Sequence, residues 1–132
     1  MLAINQLRAV WAPRLLSVLR IMTALLFLQH GTAKYFSFPY IKAMDELNRM
    51  SLPGIGGAME LVGGVLLALG LFSGPVAFLL SGEMAVAYFI AHSPRNFFPL
   101  LNGGEGAILF SFIFLYIAAA GPGPWSLDAA RK

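Results

Sequence analysis

The sequence predicts an all-α polytopic membrane protein, a four-transmembrane-helix bundle with short interfacial helices, and three observations predict it. Hydrophobic residues make up 58% of the 132 positions and charged residues only 11%, against roughly 25% charged in soluble domains. The apolar residues gather into four stretches, Leu15–Phe36, Gly54–Phe72, Pro75–His92 and Gly104–Gly121. Each approaches the roughly 20 residues that a helix needs to cross a bilayer. The connections between them are short and rich in glycine, proline and aromatic residues. A single membrane domain over residues 1–132 therefore uses up the chain and leaves no room for a soluble catalytic domain.

Met1–Pro13 places Ile4, Leu7, Val10 and Trp11 among Asn5, Gln6 and Arg8, the pattern of a short amphipathic helix in the headgroup layer. Pro13 is expected to mark the turn into the first span, and Arg20 to snorkel back to the interface. This first span is expected to be a retained helix rather than a cleaved signal segment, because it is span-length. The loop Pro39–Pro53 carries Ile41, Met44 and Leu47 at three-residue spacing, which predicts a second interfacial helix stopped by Pro53-Gly54. In the second span Gly57, Glu60 and Gly64 share one face. Small residues let membrane helices approach closely, so this face should pack tightly with its carboxylate aimed at a neighbour. Ser73-Gly74-Pro75 reads as a tight connection that makes the second and third spans a hairpin. Ser93–Asn102 reads as a loop dipping into the interface. Asn102 suits the N-cap of the fourth span and Glu105 its first turn. Gly121-Pro122-Gly123-Pro124 ends that span, with Trp125 as anchor.

Every span carries ionisable residues, and a charge at mid-bilayer costs at least about 2.5 kcal/mol. Such groups belong in a bundle interior. With four alternating crossings, call the face holding both termini side A and the other side B. His30 lies six residues before Phe36 and Glu60 six after Gly54, so both sit roughly 9 Å below side B. Lys34, His92, Arg95 and Glu105 lie nearer that surface, and Glu83 is deeper. Only Arg20 belongs to the A half. The polar residues thus converge at one end of the bundle. His30 with Lys34-Tyr35-Phe36, and His92 with Arg95-Asn96-Phe97-Phe98, form a faint internal echo of the kind two related hairpins would give.

The chain contains no cysteine, which excludes disulfides, thiol chemistry and iron–sulfur ligation by these residues. The net charge of +3 and pI near 9.6 come from scattered residues, not from a nucleic-acid-binding patch. The basic residues divide five (Arg8, Arg14, Arg20, Arg131, Lys132) to four (Lys34, Lys42, Arg49, Arg95), a slight bias toward cytoplasmic termini. Di-iron bundles repeat Glu-x-x-His on a helix. That motif is missing here, and Lys34 and Arg95 oppose a cation, so no metal is expected.

His30-Gly31 with Lys34, Gly57-Ala58-Met59-Glu60-Leu61-Val62-Gly63-Gly64, Met84-Ala85-Val86-Ala87-Tyr88 with His92, and Phe98-Pro99 with Asn102-Gly103-Gly104-Glu105 together resemble the DoxX family of small four-span membrane proteins. Gly123 and Ser126-Leu127-Asp128 fit as well, so the likeness covers nearly everything from Arg20 onward. The resemblance implies a bacterial inner-membrane protein in a redox setting, since a thiosulfate–quinone oxidoreductase subunit is related. It points to a membrane subunit of an oxidoreductase or stress-detoxification system, with a quinone or similar hydrophobic redox molecule bound among His30, Lys34, Glu60, Tyr88, His92 and Glu105.

Within that site a His30–Glu60 pair would supply the hydrogen-bond donor and proton source a quinone headgroup needs. His30, Glu60 and Glu83 are the residues from which catalysis would come. Lys34 and Arg95 are expected to neutralise Glu60 and Glu105. A soluble or membrane redox partner and a homo-oligomer are the protein partners this reading allows, beside the lipid bilayer. The alternative is a non-catalytic scaffold or assembly factor whose polar cluster only fixes helix packing. An exporter would need a path from side A, where Arg20 is the only charge within the membrane.

Overall fold

A computed structural model describes residues 1–131, and among these every regular element is helical. In chain order they are α1 (Leu2–Phe36), α2 (Leu52–Leu69), α3 (Ser73–Ala87), α4 (Pro99–Asn102), α5 (Glu105–Ala120) and α6 (Leu127–Ala130). After α3 the helix runs on through a π-helical turn, Tyr88–His92, and a 3-10 turn, Ser93–Arg95. Three helices, Leu2–Phe36, Leu52–Leu69 and Ser73–Arg95, are long and apolar enough to cross a membrane. The fourth, α5, is apolar but shorter at 16 residues.

The bundle is two helix pairs, α1 on α2 and α3 on α5, joined through α2 against α3 and α1 against α5. Its core holds Ala24 and Phe27 from α1, Leu67 from α2, Ala77 and Leu80 from α3, and Phe114 and Ile117 from α5. Phe27 meets Phe114 edge-on with ring centres 4.9 Å apart. Ser81 and Ser111 donate to each other's carbonyls at 2.7 and 2.9 Å, clasping α3 to α5. In a bilayer, lipid is as apolar as the helix surface. Close packing and interhelical hydrogen bonds of this kind therefore hold the bundle. The largest fully buried side chains include Arg20, Glu60 and Asn102, while Leu15, Met22, Val62, Phe78, Leu109 and Phe112 lie outside. Apolar outside and charged within is the arrangement lipid selects.

The glycine face of α2 packs as its spacing predicts. Gly57 and Gly64 are buried with Glu60. A methyl on Gly57 would stand 2.8 Å from the Tyr35 ring, and one on Gly64 would stand 3.0 Å from Leu28. Both neighbours belong to α1, so the two backbones approach where side chains are missing.

Five local expectations give way. Met1–Pro13 is no separate helix; α1 is continuous, with Pro13 inside it. Ile4, Leu7 and Trp11 stay in helical phase with Leu15, Val18 and Met22, so one apolar stripe runs through the proline. At 35 residues α1 reaches about 52 Å, beyond the roughly 30 Å hydrocarbon layer. In the loop before α2, the second interfacial helix shrinks to a 3-10 turn, Lys42–Met44, none of whose residues is buried. Pro53 starts α2 instead of stopping a helix: Ser51 caps it by accepting from the Gly54 N–H at 3.2 Å.

The second-to-third connection lies at Gly70–Phe72, where Gly70 has φ 72° and its N–H bonds back to the Leu67 carbonyl. Ser73-Gly74-Pro75 is instead the first turn of α3, where a proline sacrifices no helical hydrogen bond. Asn102 likewise closes α4, and Gly104 is the cap residue of α5. The Asn102 side chain still accepts from the Gly104 N–H at 2.8 Å, and Glu105 falls in the first turn as expected.

Candidate functional site

Glu60 sits at the middle of the α2 glycine face and is 1% exposed. Lys34, in the last turn of α1, donates its Nζ to both Glu60 oxygens, at 2.5 and 3.2 Å. The sequence expectation that Lys34 neutralises Glu60 therefore describes the contact. One residue on, Tyr35 donates its hydroxyl to the Gly54 carbonyl at 2.6 Å, so α1 grips the start of α2 at two successive positions.

Glu83 reaches this pair from α3. Its Oε1 lies 3.0 Å from the place a methyl on Gly56 would take, one helical turn from Glu60 on α2. Lys34 and Glu60 are both within electrostatic reach of it. Its other oxygen, Oε2, is buried without a hydrogen-bond partner. Most buried polar atoms find a partner, so each one that does not asks for an explanation.

His30 lies one turn before Lys34 on α1. It makes no ion pair with Glu60, which Lys34 has taken. Its ring rests edge-on against Phe110 at 5.9 Å and near Phe27 at 6.2 Å. The imidazole is exposed rather than enclosed with the charged group, and it edges an aromatic wall of Phe27, Phe110 and Phe114. Three helices supply the charges, and α5 together with Phe27 of α1 supplies the aromatic side.

Tyr88 and His92 belong to a different constellation. Both lie in the π-helical turn that prolongs α3, and their rings stack 6.4 Å apart. Asn102, 1% exposed, donates to the Tyr88 hydroxyl at 3.1 Å and to the Asn96 carbonyl at 3.0 Å. His92 Nδ1 lies 3.0 Å from the Asn102 carbonyl oxygen. These contacts latch the Ser93–Gly104 segment to the end of α3. π-Turns inside helices frequently mark functional positions; here the turn aims Tyr88 and His92 at one asparagine. Glu105 joins neither group: it is exposed and, among the described residues, has no side-chain hydrogen bond or ion pair. The expected neutralisation by Arg95 does not form, because the first turn of α5 presents Glu105 outward. Among the described residues no three His, Asp or Glu side chains group as metal ligands.

The opposite end of the bundle holds what sequence reasoning missed. Arg20 does not snorkel. It is 0% exposed, and its guanidinium donates to the Leu67 carbonyl at 2.8 Å, the Trp125 carbonyl at 2.7 Å and the Pro122 carbonyl. Ser17 accepts from the Trp125 N–H at 3.0 Å. Asp128 accepts from the Phe72 and Ser73 N–H groups, both at 2.9 Å, at the start of α3. Burial pulls its carboxyl upward, but these backbone donors together with the nearby Arg131 charge hold it below the usual carboxylate range. The segment after α5 is thus strapped across the bundle end. A signal existed in Ser126-x-Asp128 after Gly-Pro-Gly-Pro: Ser126 caps α6 by accepting from the Ala129 N–H at 3.1 Å.

The family model described as DoxX matches residues 15–93 of this chain. An uncharacterized protein of Haemophilus influenzae is 44% identical over 123 residues, covering 89% of this chain and 91% of that protein. No solved structure matches the chain.

Proposed function

The chain belongs to the DoxX family, and from that premise we propose that it is a membrane subunit of an oxidoreductase or stress-detoxification system. In this reading it binds a quinone or similar small hydrophobic redox molecule beside Lys34, Glu60, Glu83 and His30. One observation carries the proposal: the buried Oε2 of Glu83 has no protein partner although it lies beside a charged pair. The residues suit an uncharged, ring-shaped ligand with carbonyl oxygens. Lys34 and Glu83 offer hydrogen-bonding groups, and Phe27, Phe110 and the His30 ring offer apolar faces. A quinone, when bound, takes up electrons together with protons. This chain's part is to orient the headgroup, keep water out and hold exchangeable protons at carboxyl and imidazole.

The proposed topology has four crossings in a bacterial inner membrane with both termini cytoplasmic. The 16 residues of α5 reach about 24 Å, and local thinning of the bilayer accommodates a short span at modest cost. Since the chain has no cysteine, single cysteines at Asn5 and Arg131 can be labelled from outside intact vesicles. Labelling of both from the same side is expected. Opposite sides would exclude an even number of crossings.

For the ligand, purified protein should retain quinone measurable by mass spectrometry. Glu60→Gln or His30→Ala should abolish retention while the helical circular-dichroism signal persists. Unchanged retention in both variants would sink the reading. The scaffold alternative draws on the Lys34–Glu60 pair, which by itself locks α1 to α2. Under it, those substitutions lower thermal stability and partner recovery together, and wild-type protein carries no quinone.

A further inference from the structure

The quinone-binding reading leaves open which group meets the ligand and in what protonation state. The local geometry restricts both. Lys34 is the cation of the cluster, and its Nζ is committed to both oxygens of Glu60. An ionised Glu83 would put a second carboxylate beside Glu60 with only that shared lysine to balance the two. Two carboxyl groups competing for one counter-charge in an apolar interior do not both ionise readily. The imidazole of His30 is exposed, packs against Phe27 and Phe110, and makes no hydrogen bond to either carboxyl. A buried anionic oxygen with no donor would also be among the most costly groups a protein can hold.

We propose that Glu83 is held as the neutral acid, and that its Oε2–H is the hydrogen-bond donor this site offers to the carbonyl oxygen of an uncharged ligand. A neutral carboxyl has one O–H to give. An orphaned buried oxygen of that kind is satisfied when a ligand carbonyl arrives. The Lys34–Glu60 pair then acts as the fixed element that keeps the cluster at net zero charge. The inference rests on the quinone reading and assigns its ligand class, a neutral carbonyl compound, in preference to a carboxylate or sulfonate. An anion would meet Glu60 without a free cation to receive it.

The test is infrared difference spectroscopy on wild-type protein and Glu83→Gln in lipid nanodiscs, with decylubiquinone as the probe. Ligand-free wild type should show the carbonyl stretch of a protonated carboxylic acid, lost in Glu83→Gln. Adding the quinone should shift that band to lower frequency. Glu83→Leu, which has no donor, should bind the probe about tenfold more weakly, the loss of one hydrogen bond. Glu83→Gln keeps an N–H donor and should recover part of that affinity, which a purely packing role would not give. If wild type takes up no quinone, this inference and the quinone reading fall together. If it binds quinone but the acid band is missing or unmoved, this inference falls alone and the quinone reading stands.

Discussion

Arg20 and Glu60 are both charged, both essentially inaccessible and both inside apolar helices, yet their surroundings differ in kind. Arg20 is served by three backbone carbonyls from two distant parts of the chain. Around it Ser17 and Ser126 bond backbone groups of the strapped tail, Asp128 of that tail bonds the backbone at the start of α3, and a serine hydroxyl, Ser73 Oγ, is what remains unpartnered. Glu60 is served by one lysine side chain, and beside it a carboxyl oxygen remains unpartnered. Backbone carbonyls cannot leave their helix or turn, so the Arg20 end is a fixed structural knot. Side chains on three different helices can rearrange, and in the proposed reading a ligand would supply the missing partner. Charge in a membrane interior therefore has two uses here, and the nature of the partner separates them.

That contrast can be broken at four places. Arg20→Met should be the most damaging, by about 5 kcal/mol, since hydrogen bonds to a charged group contribute roughly 1.5–3 kcal/mol each. Thermal unfolding in detergent would read it, and Arg20→Lys should rescue little because an ammonium lacks the planar fork. Glu60→Gln comes next at about 3 kcal/mol, because it leaves Lys34 buried without its counter-charge. The double change Lys34→Met with Glu60→Leu should recover most of that stability while still losing quinone. Stability without binding in the double variant would separate packing from function, and full retention of quinone would refute the division drawn here.

Asp128→Asn should cost about 0.5–1 kcal/mol, the usual value of a carboxylate at a helix N-terminus. Because the folded state depresses the Asp128 carboxyl, its contribution is present above the unfolded value of about 3.9 and is lost as pH falls through the lower folded value. A wild-type melting temperature that drops below pH 4 more steeply than that of Asp128→Asn would show it. Glu83→Gln is the smallest perturbation, within about 0.5 kcal/mol, since amide and neutral acid are close in shape and polarity. If Glu83→Gln unfolds the protein as Arg20→Met does, the two ends of the bundle are alike after all.

Much of the Glu60 region could be read before any coordinates. Gly57, Glu60 and Gly64 share a face by helical spacing alone. Depth counted from span ends put His30 and Glu60 at one level with Lys34 nearer the surface, and local periodicity needs no knowledge of the partner helix. The partner choice was not legible: whether Glu60 meets His30 or Lys34 depends on the rotation of α1 about its axis. That rotation is set by the Gly57 and Gly64 contacts with Tyr35 and Leu28. Tyr88 and His92 share residue types with the Glu60 group but are drawn to Asn102, and no spacing rule foretells a π-turn. The Arg20 knot was hidden for another reason. Its acceptors are backbone carbonyls about 47 and 105 residues away, and carbonyls carry no sequence identity.

The sequence by itself determined a helical membrane protein with charges that lipid would reject, because length, hydropathy and the 3.6-residue period are local properties. Tertiary structure alone decided which of those charges are spent. Long-range packing closed Arg20 into the bundle end, tied Glu60 to Lys34 and left Glu83 Oε2 without a partner. A hydrogen bond needs both of its atoms in place, and only the folded chain brings the second one.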